Sequence, residues 1–392
     1  MRIIFLSQLL PLPLDAGPKI RAFYVLRHLA EAGHEVTLVT FLRPGDRDAD
    51  VRDVARFCRS VETVPLVRSR ARDVRDLVAS VGSSTPFLIR RDRSAAMTER
   101  LGSLARCRTF DALHADQLWM APYAARLQVG LRVLDQHNAV FRVPERLARN
   151  QSNGLLRYAL RREAAKLETF ERAMCASFDR VVWVSEDDRA AFRGLPSGTG
   201  ERVIPIAVDP TAREPLQRSR PHRVTFLGGL HWPPNAEGVR WFMRRVWPTV
   251  AARVPSAVLT VIGKGSARAF GRMPPGPAVE VTDYVRDLTR YLSETAAFVV
   301  PLRTGAGMRV KILDAWTWAL PVVSTTIGAE GIVTSPGENL IVADEHEVFA
   351  DSLTRVLKDR ALAARLGANG RATVEALYDW RKVYPAWDQV YH

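Results

Sequence analysis

The chain has 392 residues, 47% hydrophobic and 25% charged, with 24 Gly and 24 Pro. This is globular usage, which excludes a fibrous or mainly disordered protein and, at roughly 100 to 200 residues per domain, predicts two domains or three. Cys58, Cys107 and Cys175 are an odd number in no metal-ligand spacing, which argues against a disulfide framework or a zinc site and suits the cytoplasm.

The formal charge is +14, and only six of the basic residues are Lys. Two explanations stand: a GC-rich coding bias, or an anionic partner such as nucleic acid, lipid head groups or a phosphorylated small molecule. No apolar run approaches the roughly 18 residues of a spanning helix. Met1 to Leu14 lacks the apolar stretch of a signal peptide, so the expectation is a cytoplasmic protein, at most peripheral on the inner membrane face.

Taken in order, Arg2 to Leu6 reads as a buried strand, Pro11 to Pro18 as a loop, and Ala22, Val25, Leu26, Leu29 and Ala30 as the apolar face of a helix stopped at Gly33. His34 to Thr40 reads as the next strand. Together these open a parallel sheet with covered faces. Further strands are expected at Ser60 to Pro65, Ala112 to His114, Leu131 to Asp135 and Arg180 to Val184. Between them, Leu156, Leu160, Ala164, Leu167 and Met174 recur at helical spacing beside Arg146, Arg149, Arg157, Arg161, Arg162 and Lys166. That is an amphipathic helix with a basic face, either solvated or resting on an anionic leaflet. Nucleic acid is not expected, because no base-reading module is present.

A Pro- and Arg-rich stretch, Asp209 to Pro221, reads as a linker. The alternation then restarts: strand Val224 to Leu227, helix Asn235 to Ala252, strands Ala257 to Ile262, Ala278 to Thr282 and Ala297 to Pro301, helix Met308 to Ala319, strand Pro321 to Thr325. In the first of these helices Val239, Phe242, Met243, Val246, Trp247 and Val250 share a face and read as core. Leu377 to His392 reads as one amphipathic helix whose Trp380, Tyr384, Trp387 and Tyr391 pack across a domain interface. The expected divisions are 1–205, 206–376 and 377–392, two doubly wound α/β domains and a terminal helix.

Ligands of open α/β sheets bind beyond the carboxyl ends of the strands. The strongest candidate is the loop Pro301 to Lys311, in which Arg303, Gly305, Ala306, Gly307 and Met308 lead from a strand into a helix. Free N–H groups at a helix start attract anions, glycine admits a phosphate to the backbone, and Arg309 and Lys311 in the first turn bring cations that oppose the helix dipole unless an anion is bound. Asp314, three residues on, either pairs with Lys311 or faces the ligand. Asp135-Gln136-His137-Asn138 puts an imidazole at the mouth of the first sheet, and Gly228 and Gly229 end the first strand of the second sheet before the expected Asn235 cap. No G-x-x-x-x-G-K-[ST], G-x-G-x-x-G after the first strand, H-E-x-x-H or G-x-S-x-G occurs, which argues against the usual nucleotidases, dehydrogenases, zinc hydrolases and esterases. An enzyme handling a diphosphate remains.

On Pro11 to Arg21, Ala32 to Val36, Val203-Ile204-Pro205 with Val208-Asp209, Phe226-Leu227-Gly228, and above all Lys311 to Ala315 followed by Leu320 to Thr325, the chain resembles the retaining glycosyltransferases of family four (glycosyl transferases group 1) over essentially its whole length. The resemblance implies the GT-B fold, two facing Rossmann-like domains with an interdomain cleft, the first binding the acceptor and the second the nucleotide-sugar. It implies a retaining hexosyltransferase without metal or other cofactor, using a UDP- or GDP-sugar to glycosylate a lipid-linked saccharide or small molecule in polysaccharide, glycolipid or natural-product biosynthesis. By position, Gly17 lies near the donor phosphate, His137 near the transferred sugar, Tyr284 and Val285 beside the base and Asp314 on the ribose, with Arg309 and Lys311 neutralising the diphosphate. The chain departs from the pattern at Gly229 and Asn235, where Arg and Lys are usual, at Ala306 and Asp314, where a Glu pair is usual, and at Ala16. Compensation by Arg303, Arg309 or Lys311 is expected. The alternatives are a catalytically degenerate nucleotide-sugar-binding protein and a same-fold epimerase or phosphorylase.

Overall fold

The computed structural model describes residues 1–195, 200–215, 222–265 and 278–392. The end of the expected linker, 216–221, lies outside them. The chain forms two compact units. One is Met1–Ala207 with Ala306–Met308 and Val383–His392; the other is Val208–Gly305 with Arg309–Lys382.

The first unit is built on β1 (Arg2–Ser7), β2 (Glu35–Leu42), β3 (Ser60–Pro65), β4 (Ala112–Asp116), β5 (Leu131–Gln136), β6 (Arg180–Trp183) and β7 (Gly200–Val203), in the order β3-β2-β1-β4-β5-β6-β7. Every pairing is parallel. A parallel sheet covered on both faces needs near-continuous apolar strands, and Ile3 to Leu6 of β1 are fully buried. Ile4, Leu6, Val39, Phe41, Leu113, Leu134 and Trp183 form the core with Met97, Leu101 and Leu167 from the covering helices. Each such side chain contributes about 1.5 to 3 kcal/mol by leaving water. The helix Gly17–Glu31 buries Ala22, Val25, Leu26 and Leu29 of the predicted stripe, with Ala30 at its edge, and Arg21 with them.

Two expectations about helices are corrected by the structure. The basic helix spans Gly154–Ala176 but buries only Ala164, Leu167, Glu171 and Cys175; its first turns, with Leu155, Leu156 and Tyr158, stand exposed. The terminal segment is not one helix but Trp380–Val383, a tighter turn Tyr384–Trp387 and Asp388–Tyr391. Pro385 opens the middle turn, where its missing N–H is least costly. All four aromatics are buried.

The second unit repeats the plan with β8 (Arg223–Leu227), β9 (Val258–Ile262), β10 (Val279–Thr282), β11 (Ala297–Val300), β12 (Val322–Ser324) and β13 (Ile341–Val342), all parallel, in the order β10-β9-β8-β11-β12-β13. The helix expected from Asn235 starts at Pro233, passes through a π turn at Phe242–Val246 and ends at Arg253. Pro248 explains the widened turn, since it offers no N–H and crowds the preceding carbonyls. Val239, Phe242, Val246, Trp247 and Val250 are buried as their spacing predicted, packed with Phe226, Val261 and Val299 of the strands, while Met243 of the same expected face is only partly buried.

Candidate functional site

In the second unit the strand order reverses between β8 and β11, which are neighbours. The loops leaving their carboxyl ends therefore open a crevice of the kind that binds nucleotides. Lys311, in the first turn of the helix Val310–Thr317, sends its Nζ to Asn235 Oδ1 at 2.9 Å and over the Phe226 ring at 4.6 Å. Asn235 Nδ2 donates in turn to the Gly229 carbonyl at 2.9 Å. Gly228 leaves room for the pair: a Cβ there would lie 2.7 Å from Lys311 Nζ and 2.9 Å from Asn235 Nδ2 and would displace them. The two loops singled out separately in the sequence thus form one polar cluster, and a cation stands at the position of Asn235. Burial lowers the Lys311 ammonium to about 7, and the nearby charge of Arg309 adds to the effect.

Asp314 makes no ion pair with Lys311 among the described residues. Burial raises its carboxyl to about 7, opposed only by the charge of Arg213. Arg309 is not the mobile first-turn cation that was expected. It precedes the helix as its N-cap, with φ −95° and ψ 79°, and its buried guanidinium lies 3.7 Å from Glu330. The helix starts two residues later than the expected Met308, so Arg309 braces the loop from inside beside Gly305. Arg303 is half-exposed over the Trp241 ring, 3.9 Å from Glu237. Tyr284 and Val285 follow β10, two strands from β8; Asp283 Oδ1 holds their loop by accepting from the Tyr284 and Gly265 amides, each at 2.9 Å.

In the first unit the carboxyl ends of β4 and β5 carry Asp116 and Asp135, and His137 follows. His137 Nε2 lies 2.9 Å from Asp116 Oδ1 and 3.5 Å from Asp135 Oδ2. Arg21 grips Asp135 through Nε and Nη2, both at 2.9 Å, and its Nη1 donates to the carbonyls of Ile204 and Pro205 at 2.7 Å. Burial disfavours every charge in this group, but the partners outweigh it. Asp116 and Asp135 raise His137 to about 9, Arg21 and His137 hold Asp135 below the ordinary carboxylate range, and Asp135 holds Arg21 above its own. His114 is driven down to about 4 by burial and shares a 2.6 Å hydrogen bond through Nδ1 with the Tyr391 hydroxyl. Trp387 covers Arg21 at 5.0 Å.

The loop carrying His137 is held from below. Glu171, on the inner face of the Gly154–Ala176 helix, accepts from the Val140 and Phe141 amides and from Gln136 Nε2 at 2.7 to 2.9 Å. Asp188 accepts from the Ala139 amide at 3.0 Å. Burial pushes Glu171 up to about 8 against the pull of those amides. Gln117, next to Asp116, has φ 73° and ψ 159°, a conformation that costs a side-chain-bearing residue on the order of 1 to 3 kcal/mol. Of the segment Ala306–Met308, Ala306 is buried, Met308 Sδ accepts from the Ile206 amide at 3.2 Å, and a Cβ on Gly307 would lie 2.8 Å from the His137 carbonyl. Gly17 opens the helix that carries Arg21.

His114, Asp116 and Asp135 each bring a ligand atom within 4.8 Å of the others. Both Asp135 oxygens already accept from Arg21, so a cation there would compete with the guanidinium. Sequence reasoning assigned no role to Arg21, Asp116, Asp135 or Glu171. Arg21 left a trace, a charge four residues before Val25 on an apolar stripe; Asp116, closing an apolar strand, left a fainter one.

The family model for Glycosyltransferase Family 4 matches residues 17–212, and that for Glycosyl transferases group 1 matches residues 221–359. An uncharacterized 44.6 kDa protein in the cps region of Klebsiella pneumoniae is 22% identical over 399 residues, covering 98% of each chain. Among solved structures, sucrose-phosphate synthase from Thermosynechococcus elongatus has a TM-score of 0.74 at 17% identity, covering 100% of this chain and 98% of that one. Anabaena HepE in complex with UDP-glucose has a TM-score of 0.66 at 14% identity, covering 99% and 98%. The chain belongs to the group 1 glycosyltransferases of family four, with two Rossmann-like units and the GT-B fold.

Proposed function

We propose that the protein is a retaining hexosyltransferase that moves a sugar from a nucleotide diphosphate donor, UDP- or GDP-linked, to an acceptor hydroxyl without a metal ion. The observation that carries this reading is the Lys311–Asn235 cluster at the β8/β11 crevice. It offers one half-buried cation and a helix start to a diphosphate, at the place where the family's usual Arg and Lys are replaced by Gly229 and Asn235. In the transfer, the bond from the anomeric carbon to the phosphate oxygen breaks with its electron pair on the diphosphate, and the acceptor oxygen bonds to the same face while its proton passes to the leaving phosphate. Lys311 stabilises the leaving charge. His137, held as an imidazolium by Asp116 and Asp135, donates toward the transferred sugar and is not the nucleophile. Asp314 accepts from the ribose hydroxyls. The relative in a cps region supports polysaccharide biosynthesis as the setting, and the acceptor of this reading is a lipid-linked saccharide or a small molecule.

The test is thermal melting of the purified protein with UDP, GDP, dTDP and ADP, with and without EDTA, because a ligand specific for the folded state raises the melting temperature. A selective shift that survives EDTA identifies the donor base for an acceptor screen, and NMR of the product then reads the anomeric configuration. A selective shift without turnover for any acceptor would favour a degenerate binding protein, the reading that Ala306 motivates.

A further inference from the structure

The helix Arg70–Val81 is folded inside out. Its two buried residues are Asp76 and Ser80, while Val74, Leu77, Val78 and Val81, spaced i, i+3, i+4 and i+7 on one stripe, are 50 to 67% exposed. Asp76 faces the unit, where Arg90 of the helix Phe87–Arg91 lies 3.9 Å from its carboxylate; Arg72 and Arg75 of its own helix lie at 3.7 and 3.6 Å. Val67, just before the helix, is also exposed. An apolar stripe aimed outward by an inward-facing ionic anchor is the reverse of what a solvated surface helix needs.

A second apolar group stands nearby. Leu155, Leu156 and Tyr158 project from the first turns of the Gly154–Ala176 helix. Lys166, farther along that helix, donates to the Ser80 carbonyl of the Arg70–Val81 helix. The two helices are therefore tied together about two turns beyond Tyr158, roughly 12 Å along the axis. Arg70, Arg157, Arg161 and Arg162 are exposed, and none of them has a carboxylate partner among the described residues.

We infer that this face is a docking surface for an anionic phospholipid bilayer, the aliphatic stripe entering the head-group region and the arginines meeting lipid phosphates. Charge selects this occupant. A second copy would set the same arginines against one another in a chain of net charge +14, and a protein hot spot would need more aromatic surface than the single Tyr158. The surface deepens the partner expected of the basic helix, but it stands apart from donor chemistry, so vesicle binding and nucleotide binding are read separately.

The experiment is flotation of the full chain with vesicles of phosphatidylcholine alone or mixed with phosphatidylglycerol. Binding is expected only with phosphatidylglycerol present. Leu77→Ser with Val78→Ser and Val81→Ser should cut the bound fraction about tenfold, and Arg157→Ala with Arg161→Ala and Arg162→Ala should cut it comparably. Val333→Ser with Val348→Ser, exposed positions of the second unit, should leave it unchanged. Melting temperature and its shift with nucleotide should stay at wild-type values throughout. No flotation of the wild type, or flotation indifferent to the stripe, overturns the assignment; so does a dimer that the stripe substitutions split into monomers while no vesicle is bound.

Discussion

Lys311 and Asn235, 76 positions apart, share a 2.9 Å hydrogen bond that joins the loops after β11 and β8. The ammonium of the helix after β11 thus stands against the loop after β8, and Gly228 leaves the room for it.

Lys311→Ala should therefore weaken binding of the nucleoside diphosphate far more than binding of the nucleoside. A charged hydrogen bond is worth about 1.5 to 3 kcal/mol, or roughly 10- to 100-fold in affinity. Asn235→Ala should cost less, because the ammonium stays. Calorimetry with both ligands decides, and equal losses would remove Lys311 from the diphosphate site.

The pH dependence of binding follows from the same residue. With Lys311 lowered to about 7 in the free protein, a diphosphate above that pH binds only with uptake of a proton. Affinity should fall as pH rises from about 7 to 9, with proton uptake visible as a dependence of the binding enthalpy on the buffer. In Lys311→Met both effects should vanish.

For stability the relevant group is His137, raised from 6.5 to about 9. Its contribution is fully present below about pH 6.5 and is lost as pH rises through 9, up to about 3 kcal/mol in all. Melting temperature should decline over that window, and His137→Gln should flatten the decline. Asp116→Asn, which removes the first of its two carboxylate partners, should move the decline to lower pH and lower turnover without weakening the diphosphate complex.

Tyr391→Phe removes the hydroxyl that shares a hydrogen bond with buried His114 at 2.6 Å. An unsatisfied buried group costs about 1 to 3 kcal/mol, which lowers the melting temperature by several degrees in a unit of this size. A melting temperature within a degree of wild type would show that the terminal segment is not needed to close the cluster.

Much of this protein is legible in its residue order. Short apolar runs alternating with helical stripes specify two parallel α/β sheets, because a strand covered on both faces and a helix covered on one leave different periods. The Lys311 loop was visible for a similar reason, since glycines and cations at a helix start go against local preference. Periodicity reports that a residue lies on a face, however, and not what that face meets. Spacing that places Arg21 on an apolar stripe does not show that it meets Asp135, and a charge pattern that places Arg309 in a first turn does not show that the helix starts at Val310 and leaves Arg309 beside Glu330. Val74, Leu77, Val78 and Val81 have the spacing of an ordinary core helix, yet the ionic anchor of Asp76 turns them outward. Which charges are paired, and which apolar stripe is left uncovered, depends on contacts between residues tens to hundreds of positions apart, and only the tertiary structure decides them.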